Sequence, residues 1–231
     1  MKPVAFQLAY TDQGMGDPLI LLHGNGEDGG YFLAQTAILS QTRRVLVVDT
    51  RGHGRSPRGD GPFTLERFAE DLRDFLDCRG LREVDILGYS DGGNIALLFA
   101  LRYPGRIRRL IVNGANLNPF GMKMGTWLAT VLGYGCACAA APFSRRAARR
   151  KELLGLMATE PHIRPEALRK LTMPALVIAG TQDLIRAGHT RLIARSLPHA
   201  RLVWVEGGHA VARENPVPYN EAVWSFLSEN G

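Results

Sequence analysis

Val84-Asp85-Ile86-Leu87-Gly88-Tyr89-Ser90-Asp91-Gly92-Gly93-Asn94-Ile95-Ala96 is the stretch that decides the fold of this chain. Its first half is mostly apolar, with β-branched Val84 and Ile86, and predicts a short buried strand. Asn94 to Leu101 is rich in Ala and Leu and predicts a helix. Between them stands Gly-x-Ser-x-Gly, at Gly88, Ser90 and Gly92. A strand that turns sharply into a helix projects one side chain from the end of a sheet, in strained backbone, and its neighbours must carry almost no side chain. Ser90 is the residue so displayed, and the flanking strand and helix supply the context that a bare Gly-x-Ser-x-Gly lacks.

Outward from this centre the chain alternates strand and helix. Val4 to Tyr10 predicts an edge strand, and Leu19-Ile20-Leu21-Leu22 a buried one ending in His23-Gly24-Asn25-Gly26. Glycines there let backbone pass close to a ligand and turn its N–H groups inward. A helix over 31–39, a strand at Val45-Leu46-Val47-Val48 and a polar turn from Asp49 to Pro57 follow. In that turn Arg51 is a candidate for an internal ion pair. Leu65, Phe68, Ala69, Leu72, Phe75 and Leu76 repeat at helical spacing and predict an amphipathic helix over 64–78. After the central strand and helix come a strand at Arg109-Leu110-Ile111-Val112, a break, and a strand at Ala175 to Gly180. A helix near 188–197, a strand at Arg201 to Val205 and a final helix capped by Asn215-Pro216 complete the pattern. This rhythm predicts an α/β protein with a mostly parallel central sheet and helices on both faces. Residues 1–114 and 173–231 would form one discontinuous core, with 115–172 a short helical cap inserted before the last two strands.

A serine hydroxyl needs a base to take its proton and a third group to hold that base. The strand ending at Gly180 runs into Thr181-Gln182-Asp183, and the strand ending at Val205 into Glu206-Gly207-Gly208-His209. Both fall at the carboxyl ends of parallel strands, where open α/β sheets place their sites. The other position for the acid, after the strand that precedes the break, reads Asn113 to Asn118 and holds no carboxylate. Ser90, Asp183 and His209 are therefore the expected catalytic residues, supported by turns at His23, Gly24, Gly26, Gly88 and Gly92.

With these motifs, together with Asp49-Thr50-Arg51-Gly52-His53-Gly54-Arg55-Ser56, the chain resembles the single-domain serine esterases of the α/β-hydrolase fold over residues 4 to 229. The resemblance implies an oxyanion hole built from the backbone N–H groups of Asn25 and Asp91. Asp91 would open a helix, where N–H groups are unpaired and the dipole favours negative charge. The expected reaction is hydrolysis of small to medium carboxylic esters through an acyl-enzyme. Other triad chemistry (lactone or C–C bond hydrolysis, perhydrolysis, acyl transfer) and a ligand receptor without turnover are the alternatives, because this fold hosts many functions.

The chain has 231 residues, 45% of them hydrophobic, and a net charge of +6. Most of that excess lies between Phe143 and Lys170, with eight Lys/Arg against three Glu. So local an excess argues against a nucleic-acid partner. The 21 positions between Lys123 and Arg145 carry no charge, yet Gly, Thr and Pro dilute them, so a lid over Ser90 is expected rather than a membrane span. Association of 145–151 with an anionic surface is the lesser alternative to a solvated helix face. Met122, Met124 and Trp127 are expected to give the lid an apolar underside suited to an ester with an apolar portion. No cofactor or metal is expected; Cys136 and Cys138 lack a second ligand pair. Three cysteines that cannot all pair, and no apolar leader after Met1, point to a cytoplasmic protein. The sequence carries no signal for the oligomeric state.

Overall fold

The computed structural model describes residues 6–229. Seven strands form one sheet, in the order β1-β3-β2-β4-β5-β6-β7: β1 (Tyr10–Gln13), β2 (Pro18–Leu22), β3 (Arg44–Val48), β4 (Val84–Tyr89), β5 (Ile107–Asn113), β6 (Ala175–Gly180) and β7 (Ala200–Val205). Only β1 is antiparallel, paired to β3 from Tyr10↔Val48 to Gln13↔Val45. The central strands are apolar and buried along both faces, as a sheet covered on two sides requires.

The first strand differs from expectation. Val4 and Ala5 lie outside the described residues, 6–9 are irregular, and the strand begins at Tyr10, where the expected one ended. The backbone of Ala9 is taken by the polar turn instead: its N–H donates to Ser56 Oγ and its carbonyl accepts from Asp49 N–H. The polar residues Thr11 to Gln13 are tolerated in β1 because an edge strand can face water.

Helices α1 (Leu33–Leu39) and α9 (Pro216–Ser228) cover one face of the sheet. Helices α2 (Leu65–Cys78) and α3 (Asp91–Arg102) cover the other. Thr64 caps α2 by accepting from Arg67 N–H, and Leu65, Phe68, Leu72, Phe75 and Leu76 enter the core. Between β5 and β6 the chain forms α4 (Met124–Ala140), α5 (Arg145–Thr159) and α6 (Pro165–Leu168). Ser144 caps α5 at Ala147 N–H. Beyond β6 come α7 (Ala187–Ser196) and, after β7, α8 (Val211–Glu214).

Two buried aspartates are held by arginines. Arg51 and Asp71, each 1% exposed, form a bidentate pair at 2.6 and 2.7 Å that ties the 49–57 turn to α2. Asp85, inside β4, is met by Arg108 at 3.0 Å and Arg43 at 3.3 Å. Asp85 lies near the amino end of β4, whereas Arg51 follows the carboxyl end of β3.

Candidate active site

Ser90 leaves β4 at φ 54°, ψ −120°, the one positive φ outside glycine among the described residues. An L-residue pays for that conformation, so surrounding structure must impose it. Here Ser90 N–H donates to Asn113 O at 2.8 Å, and Asn94 N–H returns to Ser90 O at 3.0 Å. The glycines are required by close approach. A Cβ on Gly88 would sit 2.2 Å from Gly92 O, and one on Gly92 2.1 Å from Leu22 O.

Three residues from three turns converge at this point. His209 Nε2 lies 2.9 Å from Ser90 Oγ, and His209 Nδ1 lies 2.7 Å from Asp183 Oδ1. That carboxylate oxygen also accepts Ile185 N–H at 2.9 Å, which fixes its orientation. Asp183 is buried, its Oδ2 without a partner among the described residues. Gly114, just past β5 at φ +62°, leaves the space His209 occupies; a Cβ there would stand 2.8 Å from His209 Cε1. The geometry suits transfer of the serine proton to an imidazole held in one tautomer.

Asn25 and Asp91 flank Ser90 and line the same cavity. Neither backbone N–H donates to a protein acceptor among the described residues. The Asn25 side chain has a second attachment: its Nδ2 donates to Leu153 O of α5 at 2.7 Å. His23 stays out of the cavity. It is buried, with Nε2 accepting from Thr50 N–H at 3.0 Å and Nδ1 against Gly24 O at 2.8 Å. Burial lowers its pKa, as it does that of neighbouring His53, brought down to about 4. The motif histidine thus buttresses the two turns.

The cavity measures about 140 Å³ and has two characters. Met122, Met157, Leu184 and Ile185 form an apolar wall, while Asn25, Glu27, Asp91 and Asn116 form a polar one. Met124 and Trp127 are not part of the lining: Met124 is exposed, and Trp127 packs beside Phe120 at 5.3 Å between ring centroids. The expected apolar underside is supplied by Met122 and by Met157 of α5. Arg149, expected to point outward, turns in to donate to Gly52 O. Glu27, Tyr89, Asn116, Met157, Leu184 and Ile185 were not anticipated. Tyr89 and Glu27 neighbour motif residues and could have been suspected; the others depend on how the inserted helices settle.

Burial pushes the Asp91 carboxyl up to about 6, only partly offset by the hydrogen bond from Asn94 Nδ2 at 3.1 Å. Burial likewise raises Glu27, against the opposing charge of Arg213. Asp91 Oδ2 and Glu27 Oε2 have no partner among the described residues. No group of three or more His, Cys, Asp or Glu is placed to hold a metal among those residues.

Comparison with known proteins agrees with this architecture. The chain is 35% identical over 179 residues to a 2-hydroxymuconate semialdehyde hydrolase of Pseudomonas putida, covering 76% of this chain and 60% of that protein. It is 27% identical over 255 residues to a putative carbamate hydrolase, RutD, of Azorhizobium caulinodans, covering 96% and 95%. A hydrolase from Pseudomonas aeruginosa superposes with a TM-score of 0.77 at 29% identity, covering 96% of this chain and 94% of that one. Residues 17–150 match the family described as the alpha/beta hydrolase fold, and with its sheet order and strand-end turns the chain belongs to that family.

Proposed function

We propose that this chain is a serine hydrolase that cleaves small to medium carboxylic esters. The observation carrying the reading is the hydrogen-bonded series Ser90, His209, Asp183, at 2.9 and 2.7 Å, opening into the cavity. His209 takes the Ser90 proton as Oγ attacks the ester carbonyl. The tetrahedral oxyanion is held by the N–H groups of Asn25 and Asp91; one such donor lowers the barrier by on the order of 3 kcal/mol. The alcohol leaves with the proton from His209, and water activated by His209 then releases the acid. Asp183 keeps the imidazole in its tautomer and stabilises its charged form. The small cavity and its apolar wall favour a short acyl or alcohol group.

The named relatives suggest a second reading, in which the same residues act on a 2-hydroxymuconate semialdehyde or a carbamate. A p-nitrophenyl ester series of increasing acyl length, with Ser90→Ala as the blank, separates the two. Turnover of the short esters that disappears in the variant supports the ester reading. Inert esters beside turnover of 2-hydroxymuconate semialdehyde or a carbamate would replace it with the second.

A further inference from the structure

Helix α4 exposes an uninterrupted apolar stripe. Met124, Leu128 and Leu132, spaced by four, are 70, 50 and 61% exposed, and Phe143 at the end of the following turn is 89% exposed. From Met124 to Phe143 the chain is long and apolar enough to cross a membrane, and most of that length is not buried. A contiguous apolar face of this kind on a folded chain marks a contact surface.

The neighbouring helix says what it contacts. Helix α5 runs back antiparallel along α4: Gly133 faces Leu154, and Gly155 faces Tyr134. The first two turns of α5 therefore run alongside the last turns of α4, at the Phe143 end of the apolar stripe. They expose Arg145, Arg146, Arg150 and Lys151, none of which meets a carboxylate among the described residues. Lys123 is exposed at the opposite end of α4. No Asp or Glu occurs anywhere from Lys123 to Lys151. A second copy of this face would bring cations against cations, whichever way the two hairpins ran. A single span is also excluded: both ends of the insertion return to the core, through Lys123 N–H to Leu184 O and Ile163 N–H to Leu117 O, each at 2.8 Å. An apolar helix face beside a basic rim is what an anionic bilayer surface accepts, with the apolar side chains below the headgroups and the cations among the phosphates.

We propose that the α4–α5 hairpin docks this protein on anionic lipid bilayers, with α4 lying in the plane of the interface. The same hairpin reaches the cavity through Met157 and holds Asn25 through Leu153 O, so docking would bear directly on the covering of Ser90. The docking itself is independent of which bond the enzyme cleaves.

Co-sedimentation of the full chain with phosphatidylcholine vesicles, with and without phosphatidylglycerol, tests this. Retention by the anionic vesicles, little by the neutral ones, and release on adding salt is the expected result. The exposed-face variants Leu128→Ser with Leu132→Ser, and separately Arg145→Glu with Arg146→Glu and Arg150→Glu, should each lower partitioning about tenfold or more. Either variant decides the matter if the other unfolds. Failure of anionic vesicles to retain the wild type overturns the proposal, as does retention unchanged in a folded variant. So does a solution dimer that Leu128→Ser with Leu132→Ser dissociates, which would assign the stripe to a second copy.

Discussion

Ser90 illustrates how one residue is prepared by its surroundings. Its positive φ is held by backbone bonds to Asn113 and Asn94, and its hydroxyl points to an imidazole already oriented by Asp183. Replacing Asp183 by Asn should lower kcat by about 10³–10⁴-fold with little change in KM, because the amide favours the wrong tautomer of His209. Steady-state kinetics on a short ester checks this. Asp91 gives a second prediction. Its carboxyl titrates near 6 in the fold, against about 4 in the unfolded chain, so the native state binds the extra proton between those values. Stability contributed by the neutral form is therefore present below about pH 4 and is lost as pH rises through about 6. Asp91→Asn, neutral throughout, should raise the unfolding free energy at pH 8 relative to wild type by about 2–3 kcal/mol. The gain should shrink towards pH 4, as denaturant titrations at the two pH values would show. A gain independent of pH would mean that the Asp91 carboxyl titrates in the fold as it does in the unfolded chain, unshifted by burial.

Elements position these residues through turns whose side chains are dictated by distance. Gly114 is the sharpest case: its φ of +62° and the 2.8 Å approach of His209 Cε1 leave no place for a methyl group. Gly114→Ala should displace the imidazole and lower kcat by about 10²-fold, at a stability cost of about 1 kcal/mol from the backbone alone. A stability loss of that size with full activity would show that His209 tolerates movement. At the 49–57 turn, Arg51→Ala leaves Asp71 in the core with only Arg67, 3.4 Å away, and should cost about 3 kcal/mol, while Arg51→Met with Asp71→Leu should recover much of it. Thermal unfolding of the single and double variants makes the comparison. These turns were the legible part of the sequence. Local chemistry writes them directly: Gly88 and Gly92 where backbone meets backbone, Asp183 and His209 just past apolar strands. The strand at Val4 to Tyr10 was misplaced because periodicity is silent on which partner a backbone takes; here Ser56 and Asp49 captured Ala9.

Across the whole molecule, seven strands bring groups distant in sequence to one end of a sheet, and the segment 115–172 folds as helices beside them. That segment was the least legible. Its composition announced helices and an apolar character, but which residues face the cavity depends on how two helices pair. Met157 and Met122 reach the cavity, Met124 and Trp127 do not, and Arg149 turns to Gly52 O. The polar wall of Glu27 and Asn116 likewise joins loops from different strands, a relation no local pattern records. All of this chemistry requires Ser90 to be a nucleophile activated by His209. Treating the folded protein with a fluorophosphonate and mapping the adduct by mass spectrometry tests it most directly. A single adduct on Ser90 is expected, absent in Ser90→Ala and much slowed in His209→Ala. Folded protein left unlabelled at Ser90, or labelled there equally fast without His209, would contradict it.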